Sequence, residues 1–228
     1  MFIGHFAVGF AAKRIAPKPS LATYFVAVSF LDLLWPPLLL LGIEHVKIDP
    51  GNTAHTPLAF IDYPYSHSLL MTLVWSLLLA GLYYLVQRDK TGSMVIGLCV
   101  ASHWVLDAIT HRPDLPLAPG SAINVGFGLW NSIPGTILVE GVMFATGVFL
   151  YLRATRALDK TGKIALWSMV LFLVLAYAFD APGVPPPSEQ FIAWAGLSGW
   201  ILVLWPWWIE RHRETISPGE MGGHQSGT

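Results

Sequence analysis

The sequence predicts an all-α, polytopic membrane protein with six transmembrane helices and a short N-terminal helix that is either half-spanning or a seventh span. Three observations lead there. Of the 228 residues, 54% are hydrophobic and only 12% charged, against about 25% charged in soluble domains. Six segments approach the roughly 20 apolar residues that cross a bilayer. The basic residues also fall in alternate connections, as the positive-inside rule requires.

Taken in order, Phe2–Ala12 is apolar but too short to cross unaided. The six longer segments are 20–43, 66–86, 92–111, 135–153, 163–179 and 189–209. Within the first, Pro36-Pro37 is expected to end or kink the helix just after Asp32, because proline lacks the N–H donor and crowds the preceding turn. Eleven of the thirteen Lys and Arg lie at 13–18, 88–90, 153–163 and 211–213. That pattern puts those connections and the C-terminus in the cytoplasm and the 44–65, 112–134 and 180–188 loops outside. The outer loops, rich in Pro, Gly and aromatics, suit chain lying at headgroup level, and Pro182-Gly183-Val184-Pro185-Pro186-Pro187 reads as a stiff turn. Residues 1–215 form one helical domain, and 216–228 read as a disordered cytoplasmic tail. A net charge of −1 leaves no basic face for nucleic acid. Cys99 stands alone and excludes an intrachain disulfide. No cleavable signal peptide and no internal repeat is evident.

The chemistry concentrates in Ser102–His111. At helical spacing i, i+4 and i+8, His103, Asp107 and His111 share one face. An ionisable group within a membrane costs about 2.5–3.5 kcal/mol on insertion scales, so such a face needs partners. Candidates elsewhere are His5, Asp32, His67 and Glu140. Each alone is explained as a hydrogen-bonding device between helices. Together they form a mixed nitrogen and oxygen set suited to zinc or another divalent ion, with His5 and Glu140 its weakest members. At about 1.5 Å per residue, His103 lies about 15 Å and His111 about 27 Å above the basic end of their span. His67 lies near the level of His111, so the ligands occupy two tiers unless tilt or a helix break closes the gap. His45, His55, His212 and His224, with Asp49, Asp62 and Asp114, read as solvated, although His55 could reach a site from above.

Gly4-His5, Phe30-Leu31-Asp32 before proline, Tyr65-Ser66-His67-Ser68-Leu69, Ser102-His103 with Asp107, and Gly128-Leu129-Trp130 follow one another in an order that resembles the family of membrane-bound, metal-dependent hydrolases of the bacterial inner membrane. The resemblance covers residues 1–135. That family is regarded as distantly similar to zinc-dependent phospholipase C and single-strand nucleases. The resemblance implies ligand roles for His5, Asp32, His67, His103 and Asp107. The sequence departs from the family in that Asp32 stands alone before Leu33-Leu34-Trp35, and His111 supplies an additional candidate.

The resulting expectation is a membrane-embedded hydrolase of a phosphoester, in a lipid or a small molecule, with zinc, or else manganese or iron, as the divalent metal. Its metal ligands are His5, Asp32, His67, His103, Asp107 and His111, and Asp32 or Asp107 acts as the catalytic base. The rival expectations are a metal-ion or proton transporter, a haem protein with paired histidines, and a structural membrane protein without metal. The topology has its own test. In a Cys99→Ala background, a cysteine at position 52 is expected to react with an impermeant maleimide on intact cells and one at 158 only after permeabilisation. Labelling of position 158 from outside would overturn the assignment.

Overall fold

The computed structural model describes residues 1–180 and 183–216. Pro182 and all but the first residue of the expected disordered tail therefore lie outside the described residues. The described residues are mainly helical: α1 (Ile3–Ile15), α2 (Leu21–Leu40), α3 (Pro64–His67), α4 (Leu69–Gln87), α5 (Lys90–Thr110), α6 (Ile133–Ala154), α7 (Lys160–Asp180), α8 (Glu189–Leu197), α9 (Gly199–Leu202) and α10 (Leu204–Arg211). Among the described residues, six helical stretches are long and apolar enough to cross a membrane, the last being the interrupted run α8–α10. Their starts are fixed by local chemistry. Ser20, Ser68, Ser132 and Ser188 each accept a hydrogen bond from the backbone N–H three residues on, satisfying a donor that the first helical turn leaves free. Arg88, in the left-handed region at φ 52°, closes α4 and turns the chain into α5. Leu70, Leu77, Leu82 and Leu85 of α4 are exposed, as a lipid-facing helix requires.

The short helix α1 lies inside the bundle. Its 13 residues span about 20 Å, less than the ~30 Å of hydrocarbon. It packs along α6 and α2, burying Phe6 and Phe10 among Phe25, Phe144 and Tyr151. Gly147 of α6 makes the contact possible, because any Cβ there would strike the backbone of Ala7. At the start of α1, the Glu140 carboxylate accepts from the N–H groups of Phe2 at 2.8 Å and Gly4 at 3.1 Å. A negative charge thus meets the positive end of the helix dipole, and α6 fixes the height of His5.

Of the two alternatives for the prolines, an end is excluded: α2 does not end after Asp32 but runs through Pro36 and Pro37 to Leu40. The prolines leave the carbonyls of Asp32 and Leu33 without their usual i+4 donors, a loss that neighbouring helices allow in a membrane bundle. The long loops carry structure of their own over one end of the bundle. Residues His45–Ile48 (β1) and Leu58–Asp62 (β2) form an antiparallel hairpin, and Leu115–Pro116 (β3) pairs with Asn124–Val125 (β4). With α3 they cap one end of the bundle around Trp35, Tyr63 and Trp104. At the opposite, basic end, Thr155–Ala157 (β5) pairs with Arg213–Thr215 (β6), clasping the last helix to the α6–α7 connection.

The α1–α6 contact gives a stability test. Gly147→Ala is expected to destabilise the detergent-solubilised protein by about 1–3 kcal/mol, the range for overpacking. Gly141→Ala, where a Cβ meets open space, is expected to gain about 0.5–1 kcal/mol from helix propensity. Equal melting temperatures for the two variants would contradict the packing described.

Candidate functional site

Each histidine of the central cluster is oriented by a bond on its far side. His103, fully buried on α5, has Nδ1 2.7 Å from the Val28 carbonyl of α2. A carbonyl only accepts, so Nδ1 carries a proton, and in the neutral ring Nε2 presents a lone pair. That lone pair sits 3.0 Å from Asp107 Oδ2 and 3.7 Å from Asp32 Oδ1, and Nε2 has no hydrogen-bond partner of acceptable geometry. His67 is set the same way. Ser66 Oγ donates to Glu44 Oε2 at 2.6 Å, so His67 Nδ1, 2.7 Å from that hydroxyl, is the donor. Its Nε2 lone pair then lies 3.4 Å from Asp32 Oδ1 and 4.0 Å from Asp107 Oδ2. His5 of α1 stacks on His103, centroids 3.7 Å apart and planes within 4°, with Nε2 3.1 Å from Asp107 Oδ1. The Met1 ammonium lies 2.6 Å from the same oxygen.

Imidazole lone pairs facing carboxylate oxygens at 3–4 Å repel one another unless a positive charge lies among them, whether a proton on the ring, the Met1 ammonium or a bound cation. His5, His103 and Asp107 form one trio, and Asp32, His67 and His103 another, whose donor atoms all lie within 4.8 Å of each other. Such nitrogen and oxygen donors are of the types that divalent metals take, and His103 Nε2, without a hydrogen-bond partner among the described residues, fits them. The five residues come from α1, α2, α3 and α5, and one tier suffices: His67 ends the short helix α3 below the loop cap and so reaches the level of His103 and Asp32.

His111 stands apart from both trios. It caps α5 with Nδ1 2.9 Å from Asp114 Oδ1, and Trp130 covers its ring at 4.2 Å. Burial lowers its pKa from the ordinary value. Asp114, expected to be solvated, instead also accepts from the Tyr63 hydroxyl at 3.1 Å. His55 is corrected as well. It is 3% exposed, its N–H donates to the Trp130 carbonyl at 2.9 Å, and its ring packs against Trp130 and Tyr177. Glu140 carries out the capping of α1 and is not in either trio. The loops roof a cavity of about 720 Å³ whose walls include Asp32, His67, Asp107, His111, His55 and Glu140. Half of the Asp32 side chain is exposed, and it borders this cavity and a smaller one of about 340 Å³ between α2, α7 and α8–α9.

Glu44, Ser66 and the Val28 carbonyl escaped the sequence reading. Glu44 reads as a loop carboxylate, yet it is 1% exposed and accepts from Tyr65 N–H and Ser66 N–H at 2.8 Å each. The one available signal was Ser66 beside His67, a hydroxyl next to a candidate ligand.

The family model described as YdjM inner membrane protein matches residues 1–182, and the chain belongs to that family. It is an integral inner membrane protein, in keeping with its six apolar helices. No curated protein and no solved structure matches the chain.

Burial of His55 lowers its pKa from the ordinary 6.5, although Asp180 nearby acts the other way. Below that value the unfolded chain takes up a proton that the folded one refuses, so this contribution to stability is complete above about pH 6.5 and is lost on acidification. The melting temperature is expected to fall between pH 7 and 5, and less steeply in His55→Phe. Identical pH profiles would show that His55 is not held neutral.

Proposed function

We propose that this member of the YdjM inner membrane protein family is a membrane-embedded hydrolase that uses a divalent metal, zinc or else manganese or iron, to cleave a phosphoester. One observation carries the reading: the lone pairs of His103 and His67, each fixed by a proton donated on the far side of the ring, converge on Asp32 and Asp107. His5, His103 and Asp107, with Asp32 and His67 beside them, would hold the ion. When bound, such a metal lowers the pKa of water towards neutrality and polarises a phosphoryl oxygen.

The chain's own residues divide the remaining work. Asp107, 2% exposed, supplies the buried negative charge that anchors the site. Asp32 has a carboxylate open to the cavity and is placed to accept a proton from water and return it to a leaving alcohol. Glu44 and Ser66 keep His67 in one tautomer, and Val28 does so for His103. Phe60, Trp130 and the 55–58 segment line the cavity beside the reacting groups. A site bounded by lipid-facing helices favours a lipid substrate.

A transporter needs polar groups that continue across the bundle. Here the half beyond His5 is filled by Phe10, Phe25, Phe144, Leu166 and Met169. Haem ligation by His5 and His103 is disfavoured because their rings already stack face to face.

Elemental analysis and phosphodiester hydrolysis of the purified protein test the reading. Wild type is expected to hold metal after reconstitution with zinc, manganese or iron. Asp107→Asn, which keeps size and removes charge, is expected to lose metal and activity. Ser66→Ala is expected to weaken metal affinity about 10–100-fold, as loss of an outer-shell partner does. A wild-type metal content below about 0.1 equivalent, against the tight binding usual at structured sites, or a fully active Asp107→Asn, would sink the proposal.

A further inference from the structure

The smaller cavity, of about 340 Å³, meets the ligand cluster at Asp32 and His5 and is otherwise unlike the main one. Its walls come largely from three stretches long and apolar enough to cross a membrane, α2, α7 and the α8–α9 run. Leu33, Phe172, Leu202 and Val203 line it. Among the described residues that do so, Asp32 is the one carboxylate and there is no Lys or Arg. Phe172, near the middle of α7, is 41% exposed, and Ser198 is exposed as well. The cleft therefore opens on the outside of the bundle between α7 and the α8–α9 junction, at the depth of hydrocarbon. Gly196 of α8 lies against Pro36, where any Cβ would strike the proline ring, and Gly199 lies beside Leu33. The α8–α9 run thus descends antiparallel to α2 from the loop cap. Pro36 stands on the cap side of Asp32; Ser29 and Phe25 stand on the other, Phe25 about 10 Å away at the helical rise. All three line the cleft, so polar cavity, Asp32 and apolar cleft follow one another from the cap towards the middle of the bundle.

We infer that the substrate is a lipid of the leaflet beneath the loop cap, one acyl chain of which lies in this cleft while its phosphoester meets Asp32; this rests on the hydrolase reading above. A lipid in that leaflet has its parts in the same order, with the head at the surface, the phosphoester below it and the chain towards the bilayer centre. An apolar space without an occupant forfeits the contacts of its walls, and at the depth of Phe172 the surrounding apolar medium is lipid. A water-soluble phosphoester gains nothing from the cleft, whose walls offer no cation for a phosphate and no apolar partner that such a molecule could use. The opening between α7 and α8–α9 admits a chain sideways, so the lipid reaches Asp32 without leaving the bilayer. Each pair of methylenes buried there strengthens binding about tenfold.

The test uses the full chain, loaded with zinc, in nanodiscs. Two phosphodiesters that share a leaving group, ethyl 4-nitrophenyl phosphate and dodecyl 4-nitrophenyl phosphate, are compared for kcat/KM. A dodecyl analogue with a diazirine at the chain end is cross-linked by light and its attachment mapped by mass spectrometry. Wild type is expected to prefer the dodecyl ester at least tenfold and to be labelled at Ser29 or Val203. Gly199→Leu, whose Cβ meets only Leu33 Cδ2 at 3.4 Å, and Val203→Phe both fill the cleft. Each is expected to retain zinc, to lower the dodecyl-to-ethyl ratio about tenfold, the equivalent of two methylenes withdrawn from burial, and to lose the label. A ratio equal in wild type and both variants would show that the preference reflects partition into the bilayer alone, and would overturn the acyl site while leaving the hydrolase. Absence of label at Ser29 and Val203 in wild type would overturn it whatever the variants do. Labelling that both variants abolish, in a protein that neither holds zinc nor cleaves either ester, would keep the acyl site and remove the hydrolase.

Discussion

The proton that His103 donates to the Val28 carbonyl sets the polar interior of this bundle. Within a membrane the Nδ1 N–H has no water to turn to, and the Val28 carbonyl accepts it. The bond therefore ties α5 to α2 and forces the second nitrogen towards Asp32 and Asp107. Ser66 and Glu44 impose the same constraint on His67 from the loop side. Orientation is thus supplied by groups that do not belong to the cluster themselves.

The buried helix α1 extends this logic. It has too few residues to span the bilayer, and its free N–H groups are satisfied by Glu140 instead of by water. Close approach at Gly147 lets α1 sit against α6, and this brings His5 over the face of His103. The fold holds a helix end, with its charge and its histidine, where the apolar surroundings would otherwise exclude both. The cap of hairpin and short helix buries His55 and Tyr63 and half-buries Trp130, in segments whose composition alone suggests chain at headgroup level.

Several features were legible because they depend on local pattern. Membrane helices follow from apolar runs of sufficient length, and all six stretches lie within a few residues of their expected places. The pair His103 and Asp107 follows from helical spacing on one element, and the grouping with His5, Asp32 and His67 from the scarcity of ionisable groups in apolar chain. The fate of Pro36 and Pro37 was not legible, since whether a helix survives two missing donors depends on what its neighbours provide. His111 shares a face with Asp107 by spacing, yet it sits at the helix end, where Asp114 three residues on competes for its ring.

By itself, then, the sequence determined a polytopic helical membrane protein and which ionisable residues lie in its apolar stretches, because hydrophobic length and side-chain chemistry are properties of short stretches. Only the tertiary structure decided which nitrogen of each histidine faces the cluster, that Glu44 and Ser66 stand behind His67, that Glu140 caps α1, and that His55 turns inward beneath the loops. Those outcomes depend on hydrogen bonds between residues 22 to 138 positions apart, whose geometry no local pattern records.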